Sequence, residues 1–123
     1  MVQSLNKSVE FQTTGVSYLN IGSSVGKFLI GDKALEFYND KNVNDYIQIP
    51  WASINKIGAN VSGKKISRHF EVYTKEGKFL FASKDSAKIL KITREHIGND
   101  KVIKLPTLIQ VIQNRIAKLF KRQ

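Results

Sequence analysis

Residues 68–98 read Arg68-His69-Phe70-Glu71-Val72-Tyr73-Thr74-Lys75-Glu76-Gly77-Lys78-Phe79-Leu80-Phe81-Ala82-Ser83-Lys84-Asp85-Ser86-Ala87-Lys88-Ile89-Leu90-Lys91-Ile92-Thr93-Arg94-Glu95-His96-Ile97-Gly98, and the hydrophobic period changes within them. Residues 68–74 and 78–82 alternate between apolar and polar side chains, as half-buried strands do. Lys75-Glu76-Gly77 between them predicts a hairpin turn. After Ala82 the apolar residues Ile89, Leu90, Ile92 and Ile97 recur on one side of a helix. Ser83 or Asp85 can cap its start, and Gly98 followed by Asn99 offers a stop.

Upstream, strand signals dominate. Val9-Glu10-Phe11-Gln12 alternates, and residues 17–21 form a second short candidate. Residues 26–30 and 34–38 predict a hairpin around Gly31-Asp32-Lys33. Asn39, Asp40, Asn42, Asn44 and Asp45 form a turn whose side chains can bond to nearby backbone. Residues 46–49 alternate again until Pro50, which cannot donate to a ladder. Trp51, Ile54 and Ile57 suit a strand or a single turn, and residues 61–65 read as a loop. Downstream, Pro106 suits the first turn of a second helix. Leu108, Ile109, Ile112, Ile116, Leu119 and Phe120 share one face there, with Arg115, Lys118, Lys121 and Arg122 on the rest.

The predicted class is α+β, mainly β. About seven strands followed by a helix fit a bent antiparallel sheet or small barrel closed by that helix, an order found in the pleckstrin-homology-like fold. Residues 1–98 make up this β-rich unit. Residues 99–123 add the basic amphipathic helix as part of the same unit.

The 123-residue chain contains no cysteine, which excludes disulfides, thiolate metal sites and cysteine nucleophiles. Residues 1–17 lack the apolar run of a signal peptide, and polar residues interrupt the apolar stretch 105–120, so a cytoplasmic location is expected. The net charge of +10 is unevenly placed. Residues 1–55 hold four Lys/Arg and five Asp/Glu, a balance of −1; residues 56–123 hold sixteen and five, a balance of +11. No acidic residue follows Asp100. This asymmetry predicts an anionic partner: nucleic acid, an anionic membrane face or an acidic protein.

Lys56, Lys64, Lys65 and Arg68 surround the predicted loop, where they would meet phosphates or lipid head groups. Arg115, Lys118, Lys121 and Arg122 extend the same character into the terminal helix. Catalytic motifs are weak. Gly22-Ser23-Ser24-Val25-Gly26-Lys27 is one residue short of a phosphate-binding loop, and Phe28 stands where a magnesium-binding hydroxyl belongs. His69 and His96 fall on different elements with no nucleophile in pattern. The Asn39–Asp45 turn lacks the distal glutamate of a calcium loop. The Asn6-Lys7-Ser8 and Asn60-Val61-Ser62 sequons carry no meaning without a secretory signal. A binding protein without catalytic residues, cofactor or metal is the expectation.

Residues 31–51, from Gly31-Asp32-Lys33-Ala34-Leu35-Glu36-Phe37-Tyr38-Asn39-Asp40 through Tyr46-Ile47-Gln48-Ile49-Pro50-Trp51, resemble the ManO family, as does the opening Met1-Val2-Gln3-Ser4-Leu5-Asn6. That family is encoded in mannose-type phosphotransferase operons of low-GC Gram-positive bacteria. The resemblance spans nearly the whole chain and loosens after Gly98. It implies a cytoplasmic accessory or regulator of the mannose-family sugar transporter, and it supports the pleckstrin-homology-like expectation. It brings no catalytic or ligand-binding residues with it. The expected partner is therefore the membrane-embedded mannose-type phosphotransferase complex or the anionic lipid surface, contacted by the basic half and the Asn39–Asp45 turn, and in second place operon DNA.

Overall fold

A computed structural model describes residues 3–18, 22–42 and 44–105. Eight strands and one α-helix follow in chain order: β1 (Val9–Ser17), β2 (Ser24–Gly31), β3 (Ala34–Asn39), β4 (Tyr46–Pro50), β5 (Ile54–Ser62), β6 (Lys65–Thr74), β7 (Gly77–Ala82), α1 (Ser86–Ile97) and β8 (Val102–Leu105). The strands form one open sheet in the order β4-β3-β2-β1-β7-β6-β5-β8. Neighbours run antiparallel except for β8, which lies parallel to β5 with Ile57 opposite Val102 and Asn60 opposite Leu105. The architecture is thus α+β and mainly β, and the sheet is mixed and open where an all-antiparallel sheet or a barrel was expected.

Three expectations about elements need correction. The candidate strand at 9–12 extends further than expected, through Thr13-Thr14-Gly15 to Ser17, as β1; of the second candidate, 17–21, only Ser17 is strand, Tyr18 lies beyond it, and residues 19–21 are outside the described residues. The expected loop at 61–65 is mostly strand: Ser62 pairs with Lys65, leaving only Gly63 and Lys64 as the turn. Residues 102–105 add β8, for which no strand was predicted. The predicted terminal helix, with Arg115, Lys118, Lys121 and Arg122, lies outside the described residues.

The core is aromatic at its centre. Phe28, Phe37, Phe70 and Phe81 are buried, and Phe28 meets Phe37 and Phe81 edge-on at centroid distances of 5.1 and 5.3 Å. Such edge-to-face pairs add about 1 kcal/mol each beyond the area they bury. Ile89 and Leu90 of α1 are buried in this core, which fixes the helix on the sheet. Gly98 ends α1 with a positive φ of 97°, and its N–H donates to the Arg94 carbonyl. That stop redirects the chain into β8. Asp85 stands at the N-cap but makes no side-chain cap bond; its carboxylate instead accepts from the Thr13 hydroxyl.

Candidate anion-binding surface

The basic residues singled out in the sequence separate into two groups. Lys64 and Lys65 sit at the β5–β6 turn, and Arg68 lies further along β6. All three are exposed. Lys56 is elsewhere. It pairs with Tyr73 near the opposite end of the hairpin, about 20 Å from Ser62 at ~3.3 Å per strand residue. Its ammonium lies over the Tyr73 ring, 4.6 Å from the centroid, so it is engaged within the fold.

Three grooves run along the surface that holds Lys65 and Arg68. The first, about 410 Å³, lies between α1 and β8 over β5 and β6, and its charged lining residues are Lys91, Arg94 and Lys104. It shares Val61 and Ile66 with a second groove that includes Lys65 and Arg68. That groove shares Arg68 and His69 with a third, which adds Lys84, Tyr18 and Val25. Among the described residues no carboxylate lines any of the three. Among the described residues, none of these lysines and arginines forms an ion pair. The result is a continuous cationic track with an apolar floor. Sequence reading found Lys65 and Arg68 but missed Lys84, Lys91, Arg94 and Lys104. The first three belong to α1 and its approach, and Lys104 reaches the track only through the unpredicted β8.

At the far end of the track, Val25 is 59% exposed opposite Val16 of β1, and exposed Tyr18 lines the same groove. The Tyr18 and His69 rings lie 5.7 Å apart. Their hydroxyl and imidazole nitrogen are 3.4 Å apart, and among the described residues no carboxylate lines that groove. Among the described residues no group of three or more His, Cys, Asp or Glu could hold a metal ion. No described helix is long and apolar enough to cross a membrane.

The Asn39–Asp45 turn spends most of its polar groups on itself. The Asn39 amide donates to the Asp45 carboxylate at 2.9 Å, its oxygen accepts from the Lys41 N–H, and the Asn42 oxygen accepts from the Asn44 N–H. Asp40 faces Lys27 at 3.7 Å. These bonds hold the turn in shape.

A polar network around the β2–β3 turn gave no signal in the sequence. Glu36 on β3 is fully buried and accepts from the Ser4 hydroxyl, the Leu5 N–H and the Asn6 amide. Asn6 also donates to the Ala34 carbonyl and accepts from the Lys33 and Ala34 N–H groups. The Lys7 and Ser8 N–H groups donate to Asp32; the Ser8 bond is the main cause that holds the Asp32 carboxyl below its usual range. The opening residues and the 31–51 run, which together carry the family resemblance, are therefore sewn into one structural unit.

A family model described as "Domain of unknown function (DUF956)" matches residues 1–116. No curated protein matches the chain. Among solved structures, a C-terminal domain of an unknown protein from Leishmania infantum is similar at 13% identity, with a TM-score of 0.63 over 73% of this chain and 84% of that one. A chain of the Spt16D Pob3N heterodimer is similar at 10% identity, with a TM-score of 0.58. That match covers 82% of this chain but only 57% of the other. At such identities the likeness concerns the fold alone.

Proposed function

The chain belongs to the DUF956 family, and from its cationic track we propose that it is a non-enzymatic binding module that docks on the anionic inner face of the plasma membrane, beside a mannose-type phosphotransferase complex. The observation that carries this reading is the pairing of unneutralised Lys65, Arg68 and Lys84 with exposed Val25 and Tyr18 at one end of the sheet. Cations near an anionic leaflet contribute about 1 kcal/mol each, and an exposed apolar tip adds contact with the lipid boundary. The resemblance of residues 31–51 to the ManO family supplies the transporter as the associated complex. The proposed architecture is pleckstrin-homology-like. Its support is the strand order, with β1 to β4 on one side, β5 to β7 on the other and a helix after β7.

Cosedimentation with phosphatidylglycerol vesicles tests the docking. Binding should weaken with added salt, and the Lys65→Glu/Arg68→Glu variant should lose at least tenfold in affinity. Salt-insensitive binding, or an unchanged variant, would overturn the reading. Crosslinking in cells grown on mannose should recover transporter subunits. The same unpaired cations also favour a second reading, a DNA-binding regulator of the mannose operon. It requires a steep fall of DNA affinity with salt together with preference for operator over random sequence.

A further inference from the structure

We infer that the groove between α1 and β8 is the docking site for an acidic amphipathic helix of a partner protein. The inference rests on the reading of this chain as a binding module, and it assigns a protein contact distinct from the lipid contact at the Tyr18–Val25 end.

Ala87, Leu90, Lys91 and Arg94 line the groove from α1. Their spacing of i, i+3, i+4 and i+7 puts them on one face of α1, over about 10 Å of helix at 1.5 Å per residue. Val102, Ile103 and Lys104 of β8 form the opposite wall, and Ala59, Val61 and Ile66 supply the floor. An apolar trough beside a helix, about two turns long, matches the way one amphipathic helix lays its apolar stripe against another structure. Its volume of about 410 Å³ has room for a few apolar anchor side chains.

Charge selects the occupant. The rim residues Lys91, Arg94 and Lys104 are all cationic and exposed. A second copy of this chain would bring another net charge of +10. The chain's own residues 106–123 contain Arg115, Lys118, Lys121 and Arg122 and no Asp or Glu, so by sequence their charge has the same sign as the rim's. DNA has no use for the apolar floor. A helix with aliphatic anchors on one face and carboxylates flanking them satisfies both the floor and the rim.

The probe is a labelled 18-residue peptide with leucine at helical i, i+3, i+4 and i+7 spacing and glutamate elsewhere, titrated with the full chain by fluorescence anisotropy. A matched peptide with lysine in place of glutamate is the control. The acidic peptide should bind and the lysine peptide should not. The Arg94→Glu/Lys104→Glu variant should weaken binding at least tenfold, and Ala87→Trp, at an exposed position, should block it while circular dichroism stays unchanged. Phosphatidylglycerol vesicle binding should survive Ala87→Trp, and peptide binding should survive Lys65→Glu/Arg68→Glu. No acidic-peptide binding, equal binding of both peptides, or loss of vesicle binding in Ala87→Trp would overturn the inference. Peptide binding by a wild-type chain that ignores vesicles would support the groove and remove the lipid reading alone.

Discussion

The Asn6 amide donates to the Glu36 carboxylate at 3.1 Å across 30 residues of sequence. The same amide reaches the Ala34 carbonyl at 3.1 Å, and its oxygen accepts from the Lys33 and Ala34 N–H groups at 2.9 and 2.8 Å. One side chain thus bonds to the β2–β3 turn and to the buried carboxylate beyond it. Asn6→Ala leaves the Glu36 carboxylate short of a donor and strands backbone groups of the turn. An unmet buried group costs about 1–3 kcal/mol, so the variant should lose about 3 kcal/mol in urea unfolding. A loss below about 0.5 kcal/mol would mean that the segment contributes no net stability.

Gly31 makes this clamp possible sterically. A Cβ at Gly31 would lie 2.2 Å from the Ser8 carbonyl oxygen and 2.7 Å from the Asn6 side chain. Both atoms belong to the segment that Glu36 and Asp32 hold down, so Gly31→Ala must push that segment away. Overpacking of this kind typically costs about 1–3 kcal/mol. The expected outcome is a loss of that size together with faster amide exchange at Leu5, Lys7 and Ser8. Unchanged exchange at those three amides would contradict the clamp.

The sequence made some elements legible and hid others for identifiable reasons. The β6–β7 hairpin and α1 were readable because Phe70, Val72, Phe81, Ile89 and Leu90 keep a clean period and are all buried. The middle of β1 was obscured because Thr13-Thr14-Gly15 carries no apolar alternation; its place comes from pairing with β2. β8 is only four residues long and gains its strand character from a parallel partner far back in the chain. The apolar run Val102-Ile103 between Gly98 and Pro106 was its available signal. Glu36 was hidden for another reason. Alternation with Leu35 and Phe37 assigns it to an outer face, but residues 4–6 cover that face and bury it. The cationic track was half visible: Lys65 and Arg68 follow from charge counting, whereas Lys104 joins them only through the tertiary path of β8.

The Tyr73 hydroxyl donates to the Glu71 carboxylate, and that bond, more than burial, pushes its pKa up to about 12. The bond needs the protonated phenol. It therefore stabilises the fold fully below the unfolded tyrosine value near 10, and the contribution disappears as pH rises through about 12. Absorbance titration near 295 nm should show late ionisation among the four tyrosines, with Tyr73 in it. Tyr38 is also raised, chiefly by burial, so assignment requires a variant. Glu71→Gln should return the late phase toward the ordinary range and leave Tyr38 in place. A titration curve identical to wild type would break the link between Glu71 and Tyr73.

His96 anchors the last turn of α1 by its ring. It stacks on Trp51 with a centroid distance of 4.5 Å and an interplanar angle of 8°, and its Nε2 meets the Glu10 carboxylate of β1. Trp51 is itself fixed, because its indole N–H donates to the Gly31 carbonyl at 3.0 Å. The helix end, the β2–β3 turn and β1 therefore meet at this ring. Ring stacking of this kind is worth about 0.5–1.5 kcal/mol, so His96→Ala should cost about 1 kcal/mol, and His96→Phe should recover most of it by keeping the stack. Trp51 is the single tryptophan, so its emission reports the site directly. The alanine variant should shift the emission to the red as water reaches the indole face, and the phenylalanine variant should not. Equal emission in wild type and both variants would show that the His96 ring does not shield Trp51 in solution.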